Sequence, residues 1–356
     1  MKKALLAMSG GVDSSVASLL IKNAGYECTG ITMKLYDNED IGFSSDKTCC
    51  STDDIEDARA VCSRLSIPYY VFNFGDSFKK EVIDRFISAY ENGATPNPCI
   101  DCNRYIKFDR LMKRMHELDM DYVVTGHYAR IEYDESLKRF LLKKALDSSK
   151  DQSYVLYSLT QAQLSHTLFP LGELNKSEVR KIAEENGFIN AKKRDSQDIC
   201  FVPNGKYAEF IEGYTGKNYP NGNFVDKDGN VLGEHKGIIR YTIGQRKGLG
   251  LALPASMYVC EKDLKNNKVI LGFNEDLFSS ELYADNINLI SCDEIREPMR
   301  VTAKVRYNQK EQPATVTQVE KDKLHIVFDE PQRAICKGQA VVMYDGDVVV
   351  GGGTIE

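Results

Sequence analysis

Residues 9–15 read Ser-Gly-Gly-Val-Asp-Ser-Ser, behind the apolar run 3–8 and ahead of a second apolar run, 16–21. The first run suits a buried strand and the second a helix, so a glycine turn would join them. Gly10 and Gly11 let the backbone approach an anion closely, and the opening helix aims unpaired N–H groups at it. Ser9, Ser14 and Ser15 add hydroxyl donors, and Asp13 is placed to hold a magnesium ion or cap the turn. No lysine follows the glycines, which excludes the G-x-x-x-x-G-K-[ST] loop.

A second reactive segment is Thr95-Pro-Asn-Pro-Cys99-Ile-Asp-Cys102-Asn103. Its two prolines predict a stiff loop kept out of helix until Cys102, where a basic helix begins. A thiol at a helix N-terminus beside Arg104 and Lys107 gains thiolate character. A third cysteine, Cys200, lies in Asp195-Ser-Gln-Asp-Ile-Cys-Phe201. Three chemistries are compatible with these thiols. Cys99-x-x-Cys102 could begin a zinc site, although the usual second ligand pair is missing. Cys99, Cys102 and Cys200 could hold three corners of an iron–sulfur cluster with an open iron. Cys102 and Cys200 could instead form a redox pair that carries persulfide sulfur, with Cys99 lining the pocket. Cys28, Cys62, Cys260, Cys292 and Cys336 stand among apolar neighbours and read as small core residues, and the adjacent Cys49-Cys50 pair suits no mutual disulfide.

These groups need a scaffold. Strand-like runs at 27–35, 69–74 and 121–125 alternate with amphipathic helical stretches at 53–65, 78–90 and 176–186. That alternation predicts an α/β domain with a parallel sheet, its ligands at the carboxyl ends of the strands. The loop after Met8 and the stretch Thr125-Gly-His-Tyr both fall at such ends. Near residue 205 the texture changes, and 214–233 is rich in turn formers. Beyond Met257 short β runs dominate (258–261, 268–271, 301–307, 314–319, 324–328, 340–344 and 348–351). Asn266-Asn267 and Asp345-Gly346 read as hairpin turns. The expected division is 1–205, a small mixed domain over 206–275, and a C-terminal β-barrel over 276–356.

A length of 356 residues supports a sizeable core, and 42% apolar with 28% charged residues is the balance of an ordinary soluble protein. No apolar stretch is long enough for a membrane span and no signal peptide precedes the first strand, so a cytoplasmic protein is expected. The net charge of −6 is unevenly spread. Arg104, Lys107, Arg110, Lys113 and Arg114 crowd one segment, and Lys192-Lys193-Arg194 and Arg246-Lys247 follow. Local stripes of this kind are a footprint for phosphates, or else ordinary solvated helix faces.

The glycine loop resembles the PP-loop of ATP pyrophosphatases, which cleave ATP to AMP and pyrophosphate to adenylate a substrate. The whole chain resembles the bacterial tRNA-specific 2-thiouridylases of the MnmA type. The motifs that carry this are Ser9-Gly-Gly-Val-Asp-Ser, Thr95-Pro-Asn-Pro with Cys102-Asn103, Thr125-Gly-His-Tyr, Lys150-Asp-Gln-Ser-Tyr and Asp198-Ile-Cys-Phe. Thr242-Ile-Gly-Gln-Arg-Lys-Gly-Leu-Gly, Arg306-Tyr307 and Gly351-Gly-Gly complete the set. The resemblance implies a PP-loop domain over 1–205 carrying the catalytic cysteines, a central tRNA-binding domain and a C-terminal barrel. It implies ATP-dependent 2-thiolation of the wobble uridine of tRNA.

Carried over residue by residue, it makes Ala7, Met8, Ser9, Gly10, Gly11, Val12, Asp13 and Ser14 the ATP phosphate site, with Met33 and Gly126 near adenine or ribose. Cys102 matches the nucleophile and Cys200 the persulfide carrier, and Asp13 joins them as a catalytic group. Asn97, Pro98 and Cys99 match the segment that touches the target base. His127, Lys150, Asp151, Gln152, Arg306, Tyr307 and Gln339 match tRNA contacts. ATP and Mg2+ are the implied cofactors, with an iron–sulfur cluster as the alternative route for sulfur. The implied partners are tRNA and a persulfide-carrying sulfur-donor protein, with no membrane and a monomeric chain. Cys99 departs from relatives that carry aspartate there, and many lack Cys49-Cys50. Two rivals remain: a PP-loop amide ligase, which gives Cys102 and Cys200 no task, and an RNA-binding protein with a decayed site.

Overall fold

Leu5 and Leu6, neighbours in the first strand, face opposite sides of a sheet and are both fully buried. A strand buried on both faces requires covering layers on each side. The computed structural model describes residues 1–36, 52–193, 199–202, 205–253 and 255–356. Cys49, Cys50 and the stretch 194–198 lie outside the described residues.

The N-terminal sheet contains β1 (Lys3–Ala7), β2 (Glu27–Lys34), β3 (Tyr69–Asn73) and β4 (Tyr122–Val124). A hairpin, β5 (Ala129–Asp134) and β6 (Arg139–Lys144), leaves it before the short β7 (Thr167–Leu168) returns. The order is β3-β2-β1-β4-β7 and every pairing is parallel, the α/β arrangement expected. Behind the sheet, helices Val12–Asn23, Thr52–Arg64 and Lys176–Glu185 bury Val16, Val61 and Val179 against Leu6 and Val124. In front, the helical run from Cys102 to Glu117 packs Phe108, Leu111 and Met115 on Leu5 and Val123.

Two helices depart from expectation. The segment expected over 78–90 starts at Gly75 and carries a π-helical stretch, Lys79–Ile83, before Asp84–Glu91. The cysteine helix begins at Pro98, not at Cys102. Proline is well suited to a first helical position because its missing N–H would have had no partner there. Asn97 caps the helix by accepting a hydrogen bond from the Cys99 amide at 3.1 Å. The chain then widens to π geometry from Cys102 to Arg110.

The central sheet holds β8 (Gly222–Val225), β9 (Val231–His235), β10 (Tyr258–Asp263) and β11 (Lys268–Gly272), in the order β10-β11-β8-β9. Asn267 takes the left-handed conformation (φ 51°) in the predicted β10–β11 turn. The C-terminal strands are β12 (Phe278–Leu289), β13 (Met299–Lys304), β14 (Gln312–Glu320), β15 (Lys323–Arg333), β16 (Ala340–Asp345) and β17 (Val348–Ile355). They run β12-β15-β14-β13-β16-β17, and a β12–β17 pairing closes the antiparallel barrel. β12 was not foreseen, because its Ser-Ser and Asp-Asn steps break apolar alternation. Nor was the extension of this sheet by β6 and β5, made where Val348 pairs with Lys143. Arg130 donates to Asp347 at 2.7 Å, and Arg139 to the Ile290 carbonyl at 2.7 Å, locking that hairpin down.

The loop 334–339 is where all three parts meet. Thr95 N–H donates to the Lys337 carbonyl at 2.8 Å, and the Gln339 amide donates to the Thr95 carbonyl at 2.6 Å. Gly338, at φ 84°, sits so close that a Cβ would lie 2.8 Å from Ala94 Cβ. Arg306 donates to the carbonyls of Ile243 at 3.2 Å and Ala334 at 3.0 Å, joining central domain to barrel. Nearby, Lys262 Nζ is buried without a hydrogen-bond partner among the described residues. No helix among those residues is long and apolar enough to cross a membrane.

Burial pushes the Lys262 ammonium down to about 8. Its folded-state value lies below the ordinary 10.5, so the unfolded chain binds the extra proton between those limits and stability rises with pH across that window. Lys262→Met should therefore stabilise the protein at pH 7, by about 3 kcal/mol at most at 1.36 kcal/mol per unit. The gain should fade between about pH 8 and 10.5, as checked by denaturant unfolding at several pH values.

Candidate functional site

The glycine loop connects β1 to helix Val12–Asn23, with Gly10 at φ 72° and Gly11 as the extended N-cap. Its carbonyls are satisfied from behind. Ser14 and Ser15 hydroxyls each donate to the Gly11 carbonyl at 3.0 Å. The Asn190 amide, itself only 2% exposed, donates to the Gly10 carbonyl and to Ser15 Oγ, both at 2.9 Å. Lys193 reaches the same Gly10 carbonyl at 3.4 Å and is anchored by Asp54 at 2.7 Å and Asp57 at 2.6 Å. Upstream, Thr32 donates to the Met8 carbonyl at 2.8 Å, holding the end of β1 against β2.

Asp13 lies in the first turn of that helix. Tyr128 donates its hydroxyl to Asp13 Oδ1 at 2.7 Å, and Lys176 Nζ lies 2.7 Å from each carboxylate oxygen. Gly126 permits this approach, since a Cβ there would stand 2.7 Å from both Asp13 C and Ser14 N. His127 is folded inward, 7% exposed, between the rings of Phe108 and Phe169 and 2.6 Å from Thr125 Oγ1. Burial, with Lys107 adding to it, holds its imidazole well below the usual 6.5 and so neutral.

Met33, Cys102 and Cys200 pack on one aromatic cluster built from Phe78, Phe86, Phe201 and Phe210. Tyr36 donates to the Cys200 carbonyl at 2.8 Å. The structure thus brings the two cysteines and the end of β2 to the same wall. Cys99 is the exposed thiol of the early helix turn and Cys102 is partly buried. A helical pitch separates their directions from that of Asp101, whose carboxyl burial pushes up despite Arg85 nearby. Among the described residues no group of three or more His, Cys, Asp or Glu is arranged to hold a metal ion. Cys99, Cys102 and Cys200 are therefore not gathered as corners of a cluster. The Asp13 carboxylate, a hard oxygen ligand in the first turn of the helix, does fit a magnesium ion carried in with a polyphosphate.

The expected tRNA contacts divide into two groups. Tyr307 is exposed, donates to the Asp151 carbonyl at 3.2 Å and stands in the electrostatic reach of Cys99. Lys150 is partly exposed and Pro98 is buried. Asp151 also caps its own loop, accepting from Ala145 N at 3.0 Å, and Gln152 clasps the Tyr128 backbone at 2.8 and 3.0 Å. Arg306 and Gln339 serve the interdomain seam. The basic segment is likewise split: Lys113 pairs with Asp109 at 3.1 Å and Arg114 with Glu117 at 2.5 Å, while Arg104 lies over the Tyr157 ring. Sequence reasoning missed Lys176, Asn190, Asp54 and Asp57. Each is an unremarkable polar residue of a helix or turn until the fold carries it to the loop.

Three family models match in tandem: one described as tRNA methyl transferase HUP domain over residues 2–204, the tRNA methyl transferase PRC-barrel domain over 208–273, and the aminomethyltransferase beta-barrel domain over 279–355. A tRNA-specific 2-thiouridylase MnmA of Clostridioides difficile (strain 630) is 54% identical over 355 residues, covering 100% of this chain and 98% of its own length. A protein named tRNA-specific 2-thiouridylase MnmA 1, from Thermoanaerobacter sp. (strain X514), is 51% identical over 99% of this chain and 98% of its own. One from Acetivibrio thermocellus is 50% identical over 100% of this chain and 99% of its own.

Gly126→Ala should press a methyl group into the Asp13–Ser14 backbone at a cost of about 1–3 kcal/mol. The expected result is a tenfold or greater weakening of ATP binding, about 1.4 kcal/mol per tenfold, with little change in melting temperature. Titration with a fluorescent ATP analogue checks it.

Proposed function

Because the chain belongs to the family of bacterial tRNA-specific 2-thiouridylases, we propose that it acts as the wobble-uridine 2-sulfurtransferase of tRNA, working through a cysteine persulfide. That it is a tRNA 2-thiouridylase, a sulfurtransferase on an ATP-utilising PP-loop fold, follows from full-length relatives at 50–54% identity. The observation that carries the finer reading is the shared aromatic wall on which Cys102, Cys200 and Met33 all pack. It supports sulfur chemistry over the methyl transfer in the family model's description, and an amide ligase would have no use for two thiols there.

A uracil C2 carbonyl is a poor electrophile, and its oxygen a poor leaving group. Attack of that oxygen on the α-phosphorus of ATP forms an O–P bond, breaks the bond to the β-phosphate oxygen and releases pyrophosphate. The opening turn of helix Val12–Asn23 would stabilise charge on that leaving group, as a magnesium ion at Asp13 would. The terminal sulfur of a Cys200 persulfide then attacks C2 and AMP departs. Cys102 thiolate attacks the Cys200 Sγ, breaking the S–S bond. The sulfur stays on C2 and a Cys102–Cys200 disulfide forms, which an external thiol reduces. A sulfur-donor protein must restore the persulfide.

The target base must leave its stack to reach this wall. Cys99 and Tyr307, which are exposed, with the partly exposed Asn97 and Lys150, are the reading's contact zone, and the buried Pro98 shapes the turn beneath them. Residues 206–275 and 276–356 supply a second grip on tRNA, and Arg246 and Lys247 are exposed there. A cytoplasmic monomer completes the proposal.

The experiment is a thiolation assay on anticodon-bearing tRNA with ATP, magnesium and a sulfur donor, read by retardation on mercury-containing gels. Cys102→Ser and Cys200→Ser should each lose at least about 100-fold in multiple turnover while binding ATP as before. Cys99→Ser should retain activity. Sustained turnover by Cys200→Ser would sink the persulfide route.

A further inference from the structure

The glycine loop carries no lysine of its own, yet a polyphosphate that bears several negative charges calls for a cation at its terminal end. Two ammonium groups stand close to the loop. Lys193 contacts the Gly10 carbonyl, on the side of the loop turned away from its amides, and Asp54 and Asp57 hold it there at 2.7 and 2.6 Å. Lys176 instead meets Asp13, the residue two places after Gly11. It is the first residue of helix Lys176–Glu185, its own amide donates to Asp147 at 3.0 Å, and its side chain is only 12% exposed. Its ammonium straddles both oxygens of Asp13, in the first turn of the helix that the glycine loop opens, where Tyr128 also donates. An unpaired carboxylate at that point would repel an incoming polyanion, and the lysine removes that repulsion.

We propose that Lys176 is the phosphate-binding cation of this site, exchanging the Asp13 carboxylate for the oxygens of the departing pyrophosphate when ATP binds. The lysine keeps its proton throughout and forms no covalent bond. It stabilises the negative charge that grows on the leaving group as the α-phosphorus to oxygen bond breaks. The same exchange releases the Asp13 carboxylate at the moment the polyphosphate arrives. This inference rests on the reading of residues 7–14 as the ATP phosphate site.

The test is calorimetric titration of inorganic pyrophosphate, in buffer containing EDTA, into the full-length wild type, Lys176→Met, Lys176→Arg and Asp13→Asn. Lys176→Met should bind at least about tenfold more weakly, while Lys176→Arg, which keeps the charge, should stay within about threefold. Asp13→Asn should bind more tightly than wild type, because the competing carboxylate is gone. A merely structural ion pair predicts the reverse pattern, with both neutralising variants lowering the melting temperature and neither changing pyrophosphate affinity beyond that loss. Equal affinity of Lys176→Met and wild type, or weakened binding by Asp13→Asn, would overturn the proposal. If Lys176→Met fails to fold, tighter binding by Asp13→Asn beside near-wild-type binding by Lys176→Arg still decides it. Failure of the wild type to bind either pyrophosphate or ATP would overturn the phosphate-site reading as well.

Discussion

A loop can turn its amides toward an anion only if its carbonyls are satisfied on the other side. That constraint organises the N-terminal domain. The Gly11 carbonyl is met by the two serine hydroxyls of the helix it opens, and the Gly10 carbonyl by Asn190 and Lys193 from the far end of the domain. Helix Thr52–Arg64 presses its first turn against Gly10, where any Cβ would collide with the Asp54 backbone. Three segments distant in sequence therefore converge on two peptide units, and Lys193 and Lys176 are each held there by aspartate. The left-handed φ of Gly10 is one term in a set of hydrogen bonds that leaves no room for a side chain.

The sequence made the front of this site readable and left the back of it dark. Strand, glycine turn and helix are local, and their apolar periods survive in any context, so β1, β2, β3 and the helices at 53–65 and 176–186 emerged within a residue or two. The loop residues 9–15 and the three cysteines are chemically conspicuous. Lys176, Asn190 and the Asp54–Asp57 pair are not, since a lysine on an amphipathic helix has the same local pattern whether it meets solvent or Asp13. Pro98 misled for a physical reason: a proline is excluded from a helix interior but welcome at its first turn, and Asn97 as cap tips the balance. β12 escaped because its pairing partners, β15 and the closing strand β17, are supplied by distant segments, a tertiary event, while its own alternation is weak.

The interdomain seam joins the chemistry to the parts that follow. Thr95 opens the proline loop that leads into the cysteine helix, and both of its backbone groups are held by the barrel, through Lys337 and Gln339. The cysteine helix is thus registered against the C-terminal barrel as well as against its own sheet. Tyr154, fully buried, adds to this by donating to the Ala340 carbonyl at 2.7 Å. The Arg306 bonds to Ile243 and Ala334 extend the same registration to the loop 242–250 of the central domain.

The hairpin Ala129–Asp134 and Arg139–Lys144 has one further implication. It is encoded among the nucleotide-site elements, directly after Tyr128, yet its hydrogen bonds extend the sheet of the C-terminal barrel. The border drawn along the chain and the border drawn by the peptide groups do not coincide. The barrel closes through its own β12 and β17, so the dependence runs from the hairpin to the barrel: loss of the barrel would strip Leu142 and its neighbours of their cover. Descent with the parts in this order is then a requirement of the fold, and a lineage that acquired the nucleotide domain without the barrel would have had to rebuild that hairpin.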